Sequence, residues 1–385
     1  MNSIINNTIL FKFLFIYLLI QISKCANLPG SWPPLDKPPP TSSAYTALVD
    51  LKKVPNAAVR SSSDSCPNTG SDPYCTWSCT NCIRNQTDYI TCPNSGDWGL
   101  TFDDGPSPYT PALLDFLDAH NIKATFFVVG SRVVENPDIL QRAYKSGHQI
   151  GVHTWSHPSL TTQSTEQVIA ELQWTADVIK AAIGVTPKYM RPPFGDYDDR
   201  IRSICDQLGY KIVIWDRDTN DWLSDGDKSF NLNWVEGNFT QWVKEGGKAG
   251  HISLEHDLYS GAAAQGPKVV PILTTAGYNI KPVGTCLGTD SFYKESNTTL
   301  PVSSNSSSTP TNTLNTLPTN TNAPINQLNN PKTQSTPPST PSSSLSQSTS
   351  LPAGKKSLAI KSSNFDHFLW SIIIGAILFN SAFIL

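Results

Sequence analysis

The sequence has no marked excess of charge of either sign: 28 lysines and arginines stand against 31 aspartates and glutamates, for a net charge of −3. A balance so near neutral excludes the broad basic footprint of a nucleic-acid or anionic-membrane binder. Long hydrophobic runs are scarce as well, and the two that stand out lie near the ends. Ile9–Ile22, about 14 residues broken only by Lys12 and Gln21, is short for a membrane span and suits the apolar centre of a secretory leader. The stretch Ser23-Lys24-Cys25-Ala26 offers small residues for cleavage, so residues 1–25 are expected to be a leader, with a retained anchor as the alternative. The second run, Phe368–Leu385, follows small residues and a polar spacer. That order is the pattern of a GPI-attachment signal over residues 353–385, with a tail anchor as the competing reading. Aromatics are missing from Ser296–Ser350, a stretch of Ser, Thr, Pro and Asn that cannot bury enough apolar surface to fold. Residues 288–352 therefore read as an O-glycosylated stalk. Residues 26–65, also rich in Pro and Ser, read as a flexible lead-in, which leaves 66–287 for one folded domain.

Eight cysteines are present, and loss of Cys25 with the leader would leave an odd number. Secretion favours disulfides. Cys66, Cys75, Cys79 and Cys82 can form two bridges in three connectivities, with zinc at Cys79-x-x-Cys82 as the alternative. Cys92 and Cys286 flank the domain, so one bridge can join its ends, and Cys205 reads as a buried free thiol. Sequons at Asn85, Asn238, Asn297 and Asn305 agree with secretion.

Two short words carry the chemistry. In Thr101-Phe102-Asp103-Asp104-Gly105-Pro106, neighbouring carboxylates diverge, so one can hold a cation while the other faces the reacting water. In His153-Thr154-Trp155-Ser156-His157 the histidines are four apart, which on a helical turn puts both imidazoles on one face. Two His and one carboxylate form a common ligand set for an open zinc site, which activates water at neutral pH. Either word alone is ordinary: Asp-Asp before Gly-Pro is usually a turn.

From Trp98 onward short apolar runs alternate with helical patterns. Strands are expected at Leu100–Phe102, Ala124–Val129, Gln149–Val152, Tyr189–Met190, Lys211–Trp215, Ile252–Glu255 and Ile280–Pro282. Helices are expected from Thr110 (as cap, with Pro111 following), over Asn136–Lys145, from Ser164 (a capping box with Gln167) to Ala182, over Asp198–Leu208, over Leu232–Lys244 and over Pro267–Ala276. Strand–helix alternation implies parallel strands with crossover helices, and enough of them close into a barrel. Five polar words follow strands, which in such a barrel gathers them at one rim.

Thr101–Pro106, His153–His157, Arg191-Pro192-Pro193-Phe194-Gly195, Asp218-Thr219-Asn220-Asp221-Trp222 and Leu254-Glu255-His256 together resemble, in order, the five motifs of the NodB-like polysaccharide deacetylases, carbohydrate esterase family 4. The resemblance covers about Asp97–Pro282 and implies a distorted (β/α) barrel. It implies Asp104, His153 and His157 as metal ligands, usually for zinc, with cobalt or manganese as alternatives. It implies Asp103 as general base paired with Arg191, His256 as general acid with Asp221 raising its pKa, and Trp222 and Leu254 as walls of the acetyl pocket. Where the family commonly has Tyr, this chain has Phe194; the family uses the backbone N–H there as oxyanion donor, so the lost hydroxyl should be tolerated. A bridge tying the segment before the first motif to the end of the domain, found in some fungal members, fits Cys92–Cys286. Asp216 and Asp218 are candidates to supplement the relay. With secretory and GPI signals, the resemblance implies a monomeric enzyme at a fungal surface acting on chitin or its oligomers. Acetylated xylan, peptidoglycan, or a non-catalytic chitin-binding role are the competing expectations.

Overall fold

The computed structural model describes residues 28–295, apart from 64, 67–70, 246–247 and 290. The leader, the GPI signal, residues 296–352 of the expected stalk, Asn297 and Asn305 lie outside the described residues. The start of the expected stalk departs from its reading: Phe292 and Tyr293 are buried in the core, and Lys188 N–H donates to Phe292 O. Among the described residues no helix is long and apolar enough to cross a membrane.

Among the described residues nine strands form one sheet: β1 (Asp88–Tyr89), β2 (Asp97–Asp103), β3 (Thr125–Val128), β4 (Gln149–Val152), β5 (Tyr189–Met190), β6 (Lys211–Val213), β7 (Arg217–Asp218), β8 (His251–His256) and β9 (Asn279–Lys281). Their order is β1-β6-β5-β4-β3-β2-β8-β7, with β9 beside the start of β2, and every pairing is parallel. β2, β3, β4 and β8 are buried along their whole length, as parallel strands covered on both faces are.

The curl of the sheet follows from one short connection. β6 and β7 sit near opposite ends of the strand order, yet only Ile214–Asp216 separate them. Four residue steps span at most about 14 Å, so the two ends must approach one another. Ile214 N–H donates to Tyr89 O at the end of β1, and Asp216 N–H donates to Ile252 O on β8, so this segment bridges the gap. β1 and β7 do not pair with each other, and the result is the expected barrel left partly open.

Helices cover the sheet: Thr110–Ala119, Pro137–Lys145, Thr165–Ile183, Asp199–Gln207, Asn233–Trp242 and Gly266–Thr275. Ser164 Oγ caps the longest by accepting from Gln167 N–H, as its sequence indicated. Thr110 departs from expectation. It lies inside its helix, and its Oγ1 accepts from Ser107 N–H and donates to Asp257.

The lead-in also departs from expectation. Described residues from Leu28 to Ser63 lie packed on the domain instead of free. Trp32 stacks on Trp155 and meets Trp174 edge-on, with centroids 6.5 and 6.4 Å apart. Proline supplies no donor but keeps its carbonyl. Accordingly Pro34, Pro39 and Pro40 accept from Trp155 Nε1, Gln167 Nε2 and Trp174 Nε1. Val49 reaches the core.

Among the described residues three disulfides form: Cys66–Cys79, Cys75–Cys82 and Cys92–Cys286. Cys205 is buried and free, as expected. Of the described sequons, Asn85 is exposed and Asn238 half-buried on a helix.

Candidate active site

The five words meet at the C-terminal ends of the strands. Asp103 ends β2 and is in register with His256 at the end of β8; His153 follows β4 and Arg191 follows β5. Asp221 begins a short 3₁₀ turn three residues past β7.

Arg191 is fully buried and is the hub of one side. Its Nη1 donates to Asp103 Oδ1 at 2.9 Å and to Thr101 Oγ1 at 2.6 Å, while Nε and Nη2 reach Val213 O and Ile214 O. The rings of Phe127 and Trp215 lie 4.4 and 5.4 Å from the guanidinium carbon. Fixing one carboxylate oxygen this way leaves Asp103 Oδ2 as the free oxygen, 3.7 Å from His153 Nε2.

Asp104, His153 and His157 present one ligand atom each within 4.8 Å of one another. The expected helical turn is absent: His153–His157 is a loop in which Thr154 and His157 both have positive φ, 66° and 59°. Asp104 also adopts a positive φ, of 76°. These left-handed residues, uncommon outside glycine, turn the side chains toward one another, so the imidazole centroids are 4.9 Å apart. His153 Nδ1 must donate to Arg191 O, 2.8 Å away, because a carbonyl only accepts. Its Nε2 therefore aims a lone pair at Asp104 Oδ1, 3.3 Å away, with His157 Nε2 at 3.2 Å. Asp104 Oδ1 is buried and has no hydrogen-bond partner among the described residues. Converging lone pairs around an orphaned carboxylate oxygen fit a divalent cation, and the backbone carbonyl behind His153 supplies the orienting contact such ligands need. Burial pushes the His157 imidazole down to about 4 against the pull of Asp104, which keeps it neutral and able to ligate.

Across the pocket, His256 Nδ1 lies 2.6 Å from Asp221 Oδ1, and its backbone N–H donates to Asp221 Oδ2 at 2.9 Å. Burial disfavours the imidazolium, but Asp221 outweighs it and His256 is pushed up to about 10. Phe194 stands with φ +59° and meets the His157 ring edge-on at 4.6 Å. Its N–H donates to no described residue. Phe194 and Trp222 are 59% and 47% exposed, so both are open to a ligand, while Leu254 is buried in register with Thr101.

Asp216 hydrogen-bonds away from this relay, to His251 and Ile252 N–H. Asp218 binds Trp215 Nε1 and Asn220 N–H, and its charge acts on His256, Asp221 and Arg191. Three buried acids escaped the motif reading. Asp257 accepts from Gly105 N–H and Thr110 Oγ1 and anchors the loop that carries Asp104; a Cβ on Gly105 would fall 2.4 Å from its oxygens. Burial first, then the other acids, push Asp257 up to about 7. Glu171 accepts from the backbone N–H groups of Trp155 and Ser156 and from Ser156 Oγ, holding the loop between the histidines. Asp196 ties the Phe194 loop to Thr161, Ser78 and Arg60. Only Asp257, directly after Leu254-Glu255-His256, had a sequence signal to find it by.

Comparison with known proteins gives the same answer as the geometry. The family model described as Polysaccharide deacetylase matches residues 91–213. Chitin deacetylase 1 of Cryptococcus neoformans var. grubii is 44% identical over 281 residues, covering 68% of this chain and 59% of that protein. Chitin deacetylase 2 of Saccharomyces cerevisiae is 36% identical over 269 residues, covering 69% of this chain and 79% of that one. The chain thus spans about three fifths of the Cryptococcus relative and most of the yeast one. The solved chitin deacetylase of Colletotrichum lindemuthianum superposes with a TM-score of 0.51 at 31% identity, covering 55% of this chain and 97% of that structure. The chain belongs to the polysaccharide deacetylase family.

Proposed function

We propose that this chain is a metal-dependent deacetylase that removes N-acetyl groups from the N-acetylglucosamine units of chitin, giving chitosan and acetate. The observation that carries the reading is the opposition of two differently held groups around Asp104, His153 and His157. Asp103 is clamped by Arg191 through one oxygen, and His256 is clamped by Asp221 in its protonated form. A divalent cation on Asp104, His153 and His157 would supply Lewis acidity toward the acetamide carbonyl and toward water. Zinc suits the nitrogen-rich set, and cobalt or manganese can occupy it. Asp103 Oδ2 takes the proton of the attacking water. The Phe194 N–H donates to the oxygen that gains negative charge, a contact typically worth ~3–4 kcal/mol. His256 delivers a proton from Nε2 to the departing amide nitrogen, which leaves only once protonated.

Chitin is favoured over xylan or peptidoglycan by the chitin deacetylases among the relatives. A binding-only role would tolerate loss of a site residue, and none is missing. The three disulfides support an oxidising, extracellular location. The end segments are then read as a leader and a GPI signal that place a monomeric enzyme on the cell surface. The test is acetate release from chitin oligomers after chelation, after zinc restoration, and with Asp103→Asn. Zinc-restored activity absent from the variant supports the reading. Activity on acetylated xylan alone replaces the substrate, and no release from zinc-loaded protein on any polymer overturns the deacetylase.

A further inference from the structure

Before the region matched by the family model lies a short segment closed by Cys66–Cys79 and Cys75–Cys82. It carries one helical turn, Trp77–Thr80, and it is docked on the loop that bears Phe194. Trp77 N–H donates to Tyr197 O at 3.1 Å, and Asp199 N–H donates to Tyr74 O at 2.8 Å. Ser78 Oγ donates to Asp196 Oδ1 at 2.6 Å, and Arg60 Nη1, from the lead-in, reaches the same oxygen at 2.9 Å.

The indole of Trp77 lies directly on Gly195. A Cβ at Gly195 would come within 2.2 Å of the ring, and Gly195 has φ +62°. Phe194 and Gly195 are thus two consecutive left-handed residues, and Phe194 lacks glycine's freedom to adopt that conformation. Such a residue stays in place when its surroundings over-determine it. Trp77 does so from outside the barrel. The same ring meets Trp215 edge-on at 5.0 Å, and Trp215 lies 5.4 Å from the guanidinium that clamps Asp103.

We infer that Trp77 is a positioning residue of the site: seated on Gly195, it holds Phe194 in the conformation that points its N–H at the reacting carbonyl. The disulfide-closed segment is then a working part of the site and not a decoration ahead of the domain. This rests on the deacetylase reading for the role of the N–H, but the seating of the loop can be tested without it.

The experiment compares Trp77→Ala, Trp77→Phe and wild type in the chain with its disulfides formed. It measures kcat and KM for acetate release from chitin oligomers, and amide hydrogen exchange. Trp77→Ala should lower kcat about 100-fold, the cost of a misplaced group, with KM changed by less than about threefold. Trp77→Phe, which keeps a flat ring on Gly195, should recover most of the rate. Exchange at Gly195 and Asp196, whose N–H groups bond Pro192 O and Pro193 O, should quicken in Trp77→Ala while Ile150–Val152 of β4 stay protected. Wild-type kcat and wild-type exchange in Trp77→Ala would overturn the inference. So would exchange that quickens equally in β4, with no rescue by Trp77→Phe, because that marks simple space-filling. If wild type itself releases no acetate, the deacetylase reading falls, and the selective change in exchange still decides the seating of the loop.

Discussion

The two sides of the pocket are built from the same materials, aspartate and histidine, and drive their imidazoles in opposite directions. Both His157 and His256 lose favour for their charged forms through burial. Asp221 gives both of its oxygens to one histidine, and that partnership outweighs burial and lifts His256 to about 10. At His157 burial is the largest cause: Asp104, shared between two imidazoles, does not offset it, and His153, His256 and Arg132 add repulsion, so His157 falls to about 4. The ratio of carboxylates to imidazoles therefore decides which side holds a proton and which offers lone pairs.

Removing the shared carboxylate should break the contrast most severely. Asp104→Ala should abolish bound divalent metal, measured by elemental analysis, and lower kcat at least about 10³-fold, the rate equivalent of several kcal/mol. Metal retained at one ion per chain would show that the cluster is not the ligand set. Asp103→Asn leaves both histidine environments in place and removes only the proton acceptor. It should cost about 10²–10⁴-fold in kcat with metal content unchanged.

Asp221→Asn probes the other side. With His256 as the proposed acid, activity is lost as pH rises through its pKa, so the wild-type alkaline limb should sit well above neutrality and the variant's should move down toward the ordinary value of 6.5. The same shift is linked to folding. A folded-state pKa raised from 6.5 to about 10 contributes stability that is full below 6.5 and is lost as pH climbs toward 10. The gap in thermal midpoint between wild type and Asp221→Asn should therefore narrow over that interval; a constant gap would mean that Asp221 acts by packing alone. Phe194→Tyr should do least. The side chain is exposed and the proposed mechanism uses only its N–H, so kcat/KM should stay within about twofold.

Most of the site was readable because its residues come in short words that each follow a strand, and parallel topology delivers strand ends to one rim. The histidine spacing misled in one respect. A separation of four mimics a helical turn, whereas positive φ at Thr154 and His157, neither a glycine, bends a loop to the same end. Single buried acids such as Glu171 and Asp196 have no spacing to betray them, since their partners are backbone groups and residues far along the chain. The lead-in misled for a chemical reason. Its prolines suggested a flexible segment, but two of their carbonyls accept from the indoles of Trp155 and Trp174 and help seat it on the domain.

The link between Cys92 and Cys286 joins residues 194 positions apart and encloses every motif residue. Covalently the domain is a loop sealed at its base. A single cut by a protease anywhere between those cysteines, for instance in the exposed stretch at residues 226–229, opens the ring without releasing a fragment. The cleaved molecule should run as two pieces on a gel only after reduction. In the proposed extracellular setting, the protein can in this way be nicked and still keep its two halves together.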